Sequence, residues 1–181
     1  IKYGFLAYTT ISNNAVPNDY IINMYSADRA SSDINALKDK VDVIIVSMHW
    51  GVEYTNTPTE SQRQIAEYLS SLGVNLIIGS HSHTVEPIEY INDTLVIYSL
   101  GNFISNQLSI AQNYPYDANP GIGLMVGMDI IVNEDGSVTF DNIYKELILS
   151  YAENSTNFKV IPFSKLNNDL YQFSQKRDEF E

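Results

Sequence analysis

Between residues 41 and 79 the chain shows the same kind of segment twice, each nearly all apolar and rich in β-branched side chains. The first is Val41-Asp42-Val43-Ile44-Ile45-Val46-Ser47-Met48 and the second Val74-Asn75-Leu76-Ile77-Ile78-Gly79. A strand with one wet face alternates polar and apolar residues; an unbroken apolar run marks a strand covered on both faces, as in a parallel sheet. The segment between them reads as a helix. Thr57 is placed to cap it, Pro58 sits at the first helical position and Glu60 completes a capping box. Ile65, Leu69 and Leu72 form its apolar stripe, and Gly73 stands where a C′ glycine belongs. Residues 41–79 therefore predict a β-α-β unit with a right-handed crossover.

The rest of the chain extends this pattern. Lys2–Tyr8 reads as another buried strand, Asn13–Asp19 as a loop, and Ser26–Lys40 as a helix with Ala30, Ile34 and Leu37 at helical spacing. After His83 the pattern turns to hairpins. Val85–Ile91 and Leu95–Ser99 flank the turn Asn92-Asp93-Thr94, and Gly121–Val132 and Ser137–Leu149 flank Asn133-Glu134-Asp135-Gly136. Gln107–Pro120 reads as a long loop, and Ser164–Glu181 as a terminal helix. The chain opens on Ile1-Lys2-Tyr3, without Met and already strand-like. The expectation is that upstream residues, with any signal or anchor, are absent from it.

Composition narrows the chemistry. Ten basic against 22 acidic residues give a formal charge of −12. Such a surface repels phosphate backbones, and no basic patch with interleaved aromatics is present, so nucleic acid is not expected as a partner. There are no cysteines, which removes disulfides, thiolate metal sites and Cys nucleophiles. Any metal must be held by His, Asp, Glu or Asn.

The chain has three histidines, and all fall at the ends of the two buried runs: His49 after the first, His81 and His83 after the second. In open α/β sheets ligands bind at the carboxyl ends of the strands. Neutral imidazole is the commonest metal ligand, and a His-x-His loop lets two rings converge on one centre or face two. A lone His-x-His is more often surface decoration. Three histidines on two neighbouring strand ends make the metal reading its equal. Gly79 is read as permitting the turn out of the strand, and Ser82 as keeping the bulk between the rings small.

Four blocks in order carry a resemblance: Asp42 to Met48 followed by His49-Trp50-Gly51-Val52-Glu53-Tyr54, then Pro58, then Gly79-Ser80-His81-Ser82-His83, then Tyr98-Ser99-Leu100-Gly101-Asn102-Phe103. Together they resemble the bacterial capsule-synthesis proteins of the CapA/PgsA type, a family linked to poly-γ-glutamate synthesis and export and similar in fold to calcineurin-like metallophosphoesterases. The resemblance runs from about Ile1 to Phe103 and more loosely through the second hairpin.

It implies an α/β fold, a metallophosphoesterase-like layered α/β sandwich of which this chain is the C-terminal half, with β-hairpins after the His-x-His block. Residues 1–150 would form that half-domain and 151–181 a partly helical extension. His49, His81 and His83 would be metal ligands, His81 and His83 also catalytic, with one or two divalent transition metal ions in the complete protein. Glu53 would orient His49 or accept a proton; it reads equally as a solvated loop acid. Trp50 belongs to the family's own block. Asn102 would present an amide to substrate, or Ser99–Phe103 is a tight turn in which Gly101 takes an unusual backbone conformation. Arg63 is expected to face solvent.

The superfamily's N-terminal ligands, an Asp-containing block and an Asn-His block, have no counterpart here, and no histidine precedes His49. Each ion of a two-metal centre needs several ligands, so this chain carries half a site. The implied partners are an anionic capsule polymer or its precursor, membrane-embedded synthesis subunits, and the missing N-terminal half. The implied location is extracellular or at the cell surface, with the membrane anchor in a segment outside this chain. Two other functions fit the same residues: a non-catalytic assembly or export subunit, and a general metallophosphoesterase. A polyanion is repelled by a surface at −12 unless cations offset it, which favours a metal in the site or a role in expelling polymer.

Overall fold

The two apolar runs lie side by side as parallel strands. The computed structural model describes residues 1–13, 21–107, 119–153 and 156–166. Its elements in order are β1 (Tyr3–Thr9), α1 (Ala27–Leu37), β2 (Val43–His49), α2 (Glu60–Ser71), β3 (Leu76–Ser80), β4 (Ile88–Ile91), β5 (Thr94–Ile97), β6 (Ile122–Val132), β7 (Val138–Glu153) and β8 (Thr156–Pro162), with a 3-10 turn at Phe163–Lys165. One sheet runs β1-β2-β3-β5-β4 and a second runs β6-β7-β8. The fold is mixed α/β: β1, β2, β3 and β5 are parallel, while β4 closes the edge antiparallel to β5.

The unbroken apolar pattern of β2 follows from what covers it. Ile44, Val46 and Met48 face the helical layer, packing with Ala30 and Ile34 of α1 and Ala66 and Leu69 of α2. Val43 and Ile45 face the other way, into a cluster with Leu76, Leu95 and Ile97 and with Val138 and Phe140 of the second sheet. Each such side chain, fully buried, contributes about 1.5–3 kcal/mol, so neither face tolerates a polar residue. The first hairpin follows the same logic. All four residues of β5 are buried, which seats it against β3 and leaves β4 outside.

The capping of α2 differs in register from the sequence expectation. Thr59, not Thr57, is the N-cap: its Oγ1 accepts from the Gln62 N–H at 3.2 Å, and the Gln62 Oε1 accepts from the Thr59 N–H at 2.8 Å. Pro58 precedes the cap, and Glu60 opens the first turn, where the helix dipole favours an acid. The deciding contact is tertiary, because Gln62 is buried and its Nε2 also donates to Glu86 at 2.8 Å. Ser26 caps α1 by accepting from the Arg29 N–H. Gly73, at φ +87°, follows α2 as expected of a C′ residue.

Gly79 is required for another reason than the one expected. It lies within β3 with no positive φ, and an added Cβ would overlap the Tyr98 carbonyl and stand 2.6 Å from the Trp50 Nε1. Close packing excludes a side chain there. The turn out of β3 is made by His81 and His83 themselves, at φ 106° and 62°.

Both hairpins form, with Asn92 (φ 50°) and Gly136 (φ +84°) in their turns. Residues 156–162, expected within a partly helical extension, form β8 paired with β7. Of the expected terminal helix, residues 167–181 lie outside the described residues, as do 14–19 and 108–118 of the two expected loops.

Candidate functional site at the ends of the parallel strands

The carboxyl ends of β1, β2 and β3 line up in register, with Thr9 beside His49 and His49 beside Ser80. His49 is thus the last residue of β2, and His81 and His83 lie on the turn that leaves β3. The rings of His49 and His81 are 4.5 Å apart between centroids, and those of His81 and His83 are 6.3 Å apart. The three histidines expected to act together are brought together.

Two of the rings have their protonation pattern set by neighbours. The His49 Nδ1 lies 2.9 Å from the Thr9 Oγ1, whose own hydrogen goes to the Ile11 carbonyl at 2.6 Å. The hydroxyl can then only accept from the ring, so Nδ1 carries the proton and Nε2 keeps its lone pair. The His83 Nδ1 lies 2.9 Å from the Asn102 Oδ1, and Nε2 lies 3.8 Å from the Glu53 Oε1. Burial, and then the neighbouring imidazole (His83 for His49, His49 for His81), lowers the pKa of both His49 and His81, against an opposing pull from Glu53. Both rings are held towards the neutral, lone-pair form that binds metals and accepts protons.

The loop carrying His81 and His83 is stapled to the loop after β2. The Tyr54 N–H donates to the Ser82 carbonyl at 2.7 Å, and the Thr84 hydroxyl donates to the Thr55 carbonyl. Ser82 is fully buried and donates to the Thr84 carbonyl at 3.0 Å. Left-handed backbone at His81, His83 and Tyr54 is unfavourable for non-glycine residues and persists where surrounding bonds over-determine it.

The remaining expected residues separate. Glu53 is exposed, and its carboxylate lies beside His83 and not His49; the residue that orients His49 is Thr9. Trp50 is 1% exposed, donates from Nε1 to the Tyr98 carbonyl at 2.9 Å and stacks on the Tyr98 ring, which makes it a core residue beneath the site. The Asn102 amide is fully engaged: besides its contact with His83, Nδ2 donates to the Gln107 Oε1 at 2.6 Å and to the Pro120 carbonyl at 2.8 Å. Gly101 takes φ +66° as expected. Arg63, expected to face solvent, keeps a side chain 39% exposed while it pairs with Glu89 at 2.7 Å and lies over the Tyr98 ring. Burial and the Glu89 carboxylate push the Tyr98 hydroxyl pKa up.

Three contributors were not visible in the sequence reading. Thr9 ends an apolar strand at the position aligned with His49, and that alignment was its only signal. Tyr54 stacks on His83 with 5.5 Å between centroids. Glu86 is 2% exposed; its Oε2 accepts from Gln62, its Oε1 has no partner among the described residues, and burial raises its pKa against the Gln62 hydrogen bond. A cleft of about 210 Å³ lies on the α2 side, lined among others by Thr10, Trp50, Gly51 and Gln62; none of the histidines lines it.

The resemblance implies a metal, and the imidazoles fit the chemistry of its donors. They do not make up a ligand set alone: among the described residues no group of three or more His, Asp or Glu is disposed to hold an ion by itself. The fit is that of one wall of a site.

Comparison with known proteins agrees with the blocks around these residues. The profile of the family described as "Bacterial capsule synthesis protein PGA_cap" matches residues 1–107 of the 181. Over 74 residues, 41% of this chain, it is 46% identical to the PGA biosynthesis protein CapA of Bacillus subtilis, of which that stretch covers 20%. Over 70 residues, 39% of the chain, it is 34% identical to the capsule biosynthesis protein CapA of Bacillus anthracis, covering 17% of it. A probable polyglutamine synthesis accessory protein of Mycobacterium tuberculosis is 29% identical over 80 residues, 44% of the chain and 21% of that protein. The matched stretch thus spans about a fifth of the length of these curated relatives. The family profile covers more than half of the chain, including all three histidines and Asn102, and the chain therefore belongs to the bacterial capsule synthesis protein family.

Proposed function

We propose that the protein carrying this chain takes part in poly-γ-glutamate capsule synthesis or export, and that the face bearing His49, His81 and His83 is its working surface. The observation that carries this is the convergence of all three histidines at aligned strand ends, two of them pinned through Nδ1, in a member of this family. The names of the relatives supply the biological process. The same reading gives residues 1–150 to one metallophosphoesterase-like half-domain, in which helices and the second sheet sandwich the first. It places the protein at the cell surface, anchored by a segment outside this chain and working beside membrane-embedded synthesis subunits.

In that reading His49 and His83 offer Nε2, and His81 its free ring nitrogen, to one or two divalent metal ions completed by ligands from outside this chain. Such ions supply Lewis-acid stabilisation of negative charge. The chain's own contribution is to keep His49 and His81 neutral, to fix ring orientation through Thr9 and Asn102, and to set Glu53 beside the His83 Nε2 as a proton acceptor. With 22 acidic residues, the surface disfavours a polyanion except where cations gather.

The incomplete ligand set favours a second reading, in which the same protein is a non-catalytic assembly or export subunit. The deciding experiment uses the full-length protein and a variant with His49, His81 and His83 all changed to Ala. Near-stoichiometric metal and cleavage of poly-γ-glutamate, both lost in the variant, support catalysis. Normal polymer production in cells carrying the triple variant would falsify it and leave the assembly role. Hydrolysis of phosphate esters without a polymer phenotype would point to a general metallophosphoesterase.

A further inference from the structure

His83, Asn102, Gln107 and Tyr54 come from separate turns, yet their side chains close a ring of contacts. The His83 Nδ1 lies 2.9 Å from the Asn102 Oδ1. The Asn102 Nδ2 donates to the Gln107 Oε1 at 2.6 Å, and the Gln107 Nε2 donates to the Tyr54 hydroxyl at 3.1 Å. The Tyr54 ring then stacks on His83, 5.5 Å between centroids with 22° between planes. We infer that Tyr54, Asn102 and Gln107 are positioning residues that hold His83 as the Nδ1-protonated tautomer and aim its Nε2 into the site.

The chemistry of each group forces the direction of the bonds. An amide NH2 has two hydrogens, and both hydrogens of Asn102 are spent on oxygens: the Gln107 amide and the Pro120 carbonyl, the latter at 2.8 Å. The amide cannot flip without setting its oxygen against the Pro120 carbonyl. Oδ1 therefore faces the ring, and an oxygen only accepts, so the His83 Nδ1 is the donor. Gln107 is locked in the same way, because its Oε1 is taken by Asn102 and its Nε2 by Tyr54.

The backbone adds a second constraint. Tyr54 and His83 both sit in the left-handed region, at φ 61° and 62°, where a bulky residue is held only by its surroundings. The Tyr54 N–H bonds the Ser82 carbonyl at 2.7 Å, so the two strained residues are tied together one peptide from His83. Ring stacking fixes the plane of the imidazole, and the Asn102 bond fixes its rotation within that plane. The ring nitrogen left to the site is Nε2, on the side of Glu53.

The role of His83 in chemistry rests on the proposed function; its tautomer does not, and the two fail separately. The test is long-range proton–nitrogen correlation of the imidazoles in the full-length 15N-labelled protein, as purified and again after chelation. His83 is identified by the signal lost in His83→Gln. The expected result is a protonated Nδ1 for His83 in the parent protein. Asn102→Leu removes the acceptor of the His83 Nδ1 and should shift most of the His83 population to the Nε2-protonated form while His49, held independently by Thr9, keeps its signals. Gln107→Met leaves the Pro120 carbonyl holding the Asn102 amide and should raise the Nε2-protonated fraction of His83 without making it the main form. Gln107→Glu, which retains acceptors for both Asn102 and the Tyr54 hydroxyl, should reverse that rise. An unprotonated Nδ1 in the parent, a tautomer unmoved in Asn102→Leu, or an Nε2-protonated fraction not raised in Gln107→Met would overturn the inference. Normal polymer production by the triple histidine variant would remove catalysis and leave the tautomer result intact.

Discussion

Thr9 and His49 stand side by side at the carboxyl ends of β1 and β2, and the Thr9 hydroxyl meets the His49 Nδ1 at 2.9 Å. Nothing near His49 in sequence does this. The partner comes from 40 residues earlier, delivered by the parallel pairing of the two strands. The hydroxyl passes its own hydrogen to the Ile11 carbonyl, so its orientation is settled before any ligand arrives.

Thr9→Val keeps the shape and removes that acceptor. We expect a loss of about 1–3 kcal/mol in urea unfolding, because the hydroxyl's bonds to His49 and to Ile11 go together. In the full-length protein, Mn2+ titration should show affinity reduced by about 10–100-fold, as for loss of a group that orients a metal-binding imidazole. Unchanged affinity would mean that His49 is no ligand.

Glu86 makes stability depend on pH. Burial lifts its pKa above the ordinary carboxylate value, so the folded chain holds this proton over an interval in which the unfolded chain has released it. The contribution is full below the unfolded value and is lost as pH rises through the folded one. Glu86→Gln keeps an oxygen for the Gln62 amide and cannot ionise. Unfolding curves of the pair should coincide more closely at pH 4 than at pH 8, with the variant the more stable at pH 8. Parallel pH profiles would show that Glu86 is not held protonated.

Gly79→Ala tests the tight crossing of β3 under Trp50 and Tyr98. The methyl group has no room beside the Tyr98 carbonyl, and overpacking of this kind costs about 3 kcal/mol. An unfolding free energy lowered by less than about a third of that would show that the strands can spread.

Trp50→Phe removes the indole N–H while leaving an aromatic ring near Tyr98. The buried Tyr98 carbonyl loses its donor, a cost of about 1–3 kcal/mol, while the proposed site above loses no ligand. The measurement is stability together with metal content of the full-length variant. Reduced stability with retained metal is expected; loss of metal at unchanged stability would place Trp50 in the site itself.

Much of the scaffold could be read from the chain. The apolar runs around Ile44 and Ile77 reported two-sided burial, and thus parallel strands, because burial on each face excludes polar residues directly. The helix between them was legible from its stripe, since Leu69 must face the sheet. Its cap was placed two residues early, because Thr57 and Thr59 both fit a capping pattern and only the burial of Gln62 against Glu86 separates them. The partners of a solvent-facing Arg63 were not legible for a similar reason: Glu89 and Tyr98 lie on another part of the sheet.

What the sequence by itself determined is therefore the β-α-β order and the delivery of three histidines to strand ends, since periodicity and strand length are local properties. The tertiary structure alone decided how those rings are held. Thr9 reaches His49 through strand register, Asn102 reaches His83 from the turn after β5, and Tyr54 reaches it from the loop after β2. Hydrogen-bond geometry is decided within a few tenths of an ångström, and the approach of separate loops at that scale depends on the packing of the whole sheet.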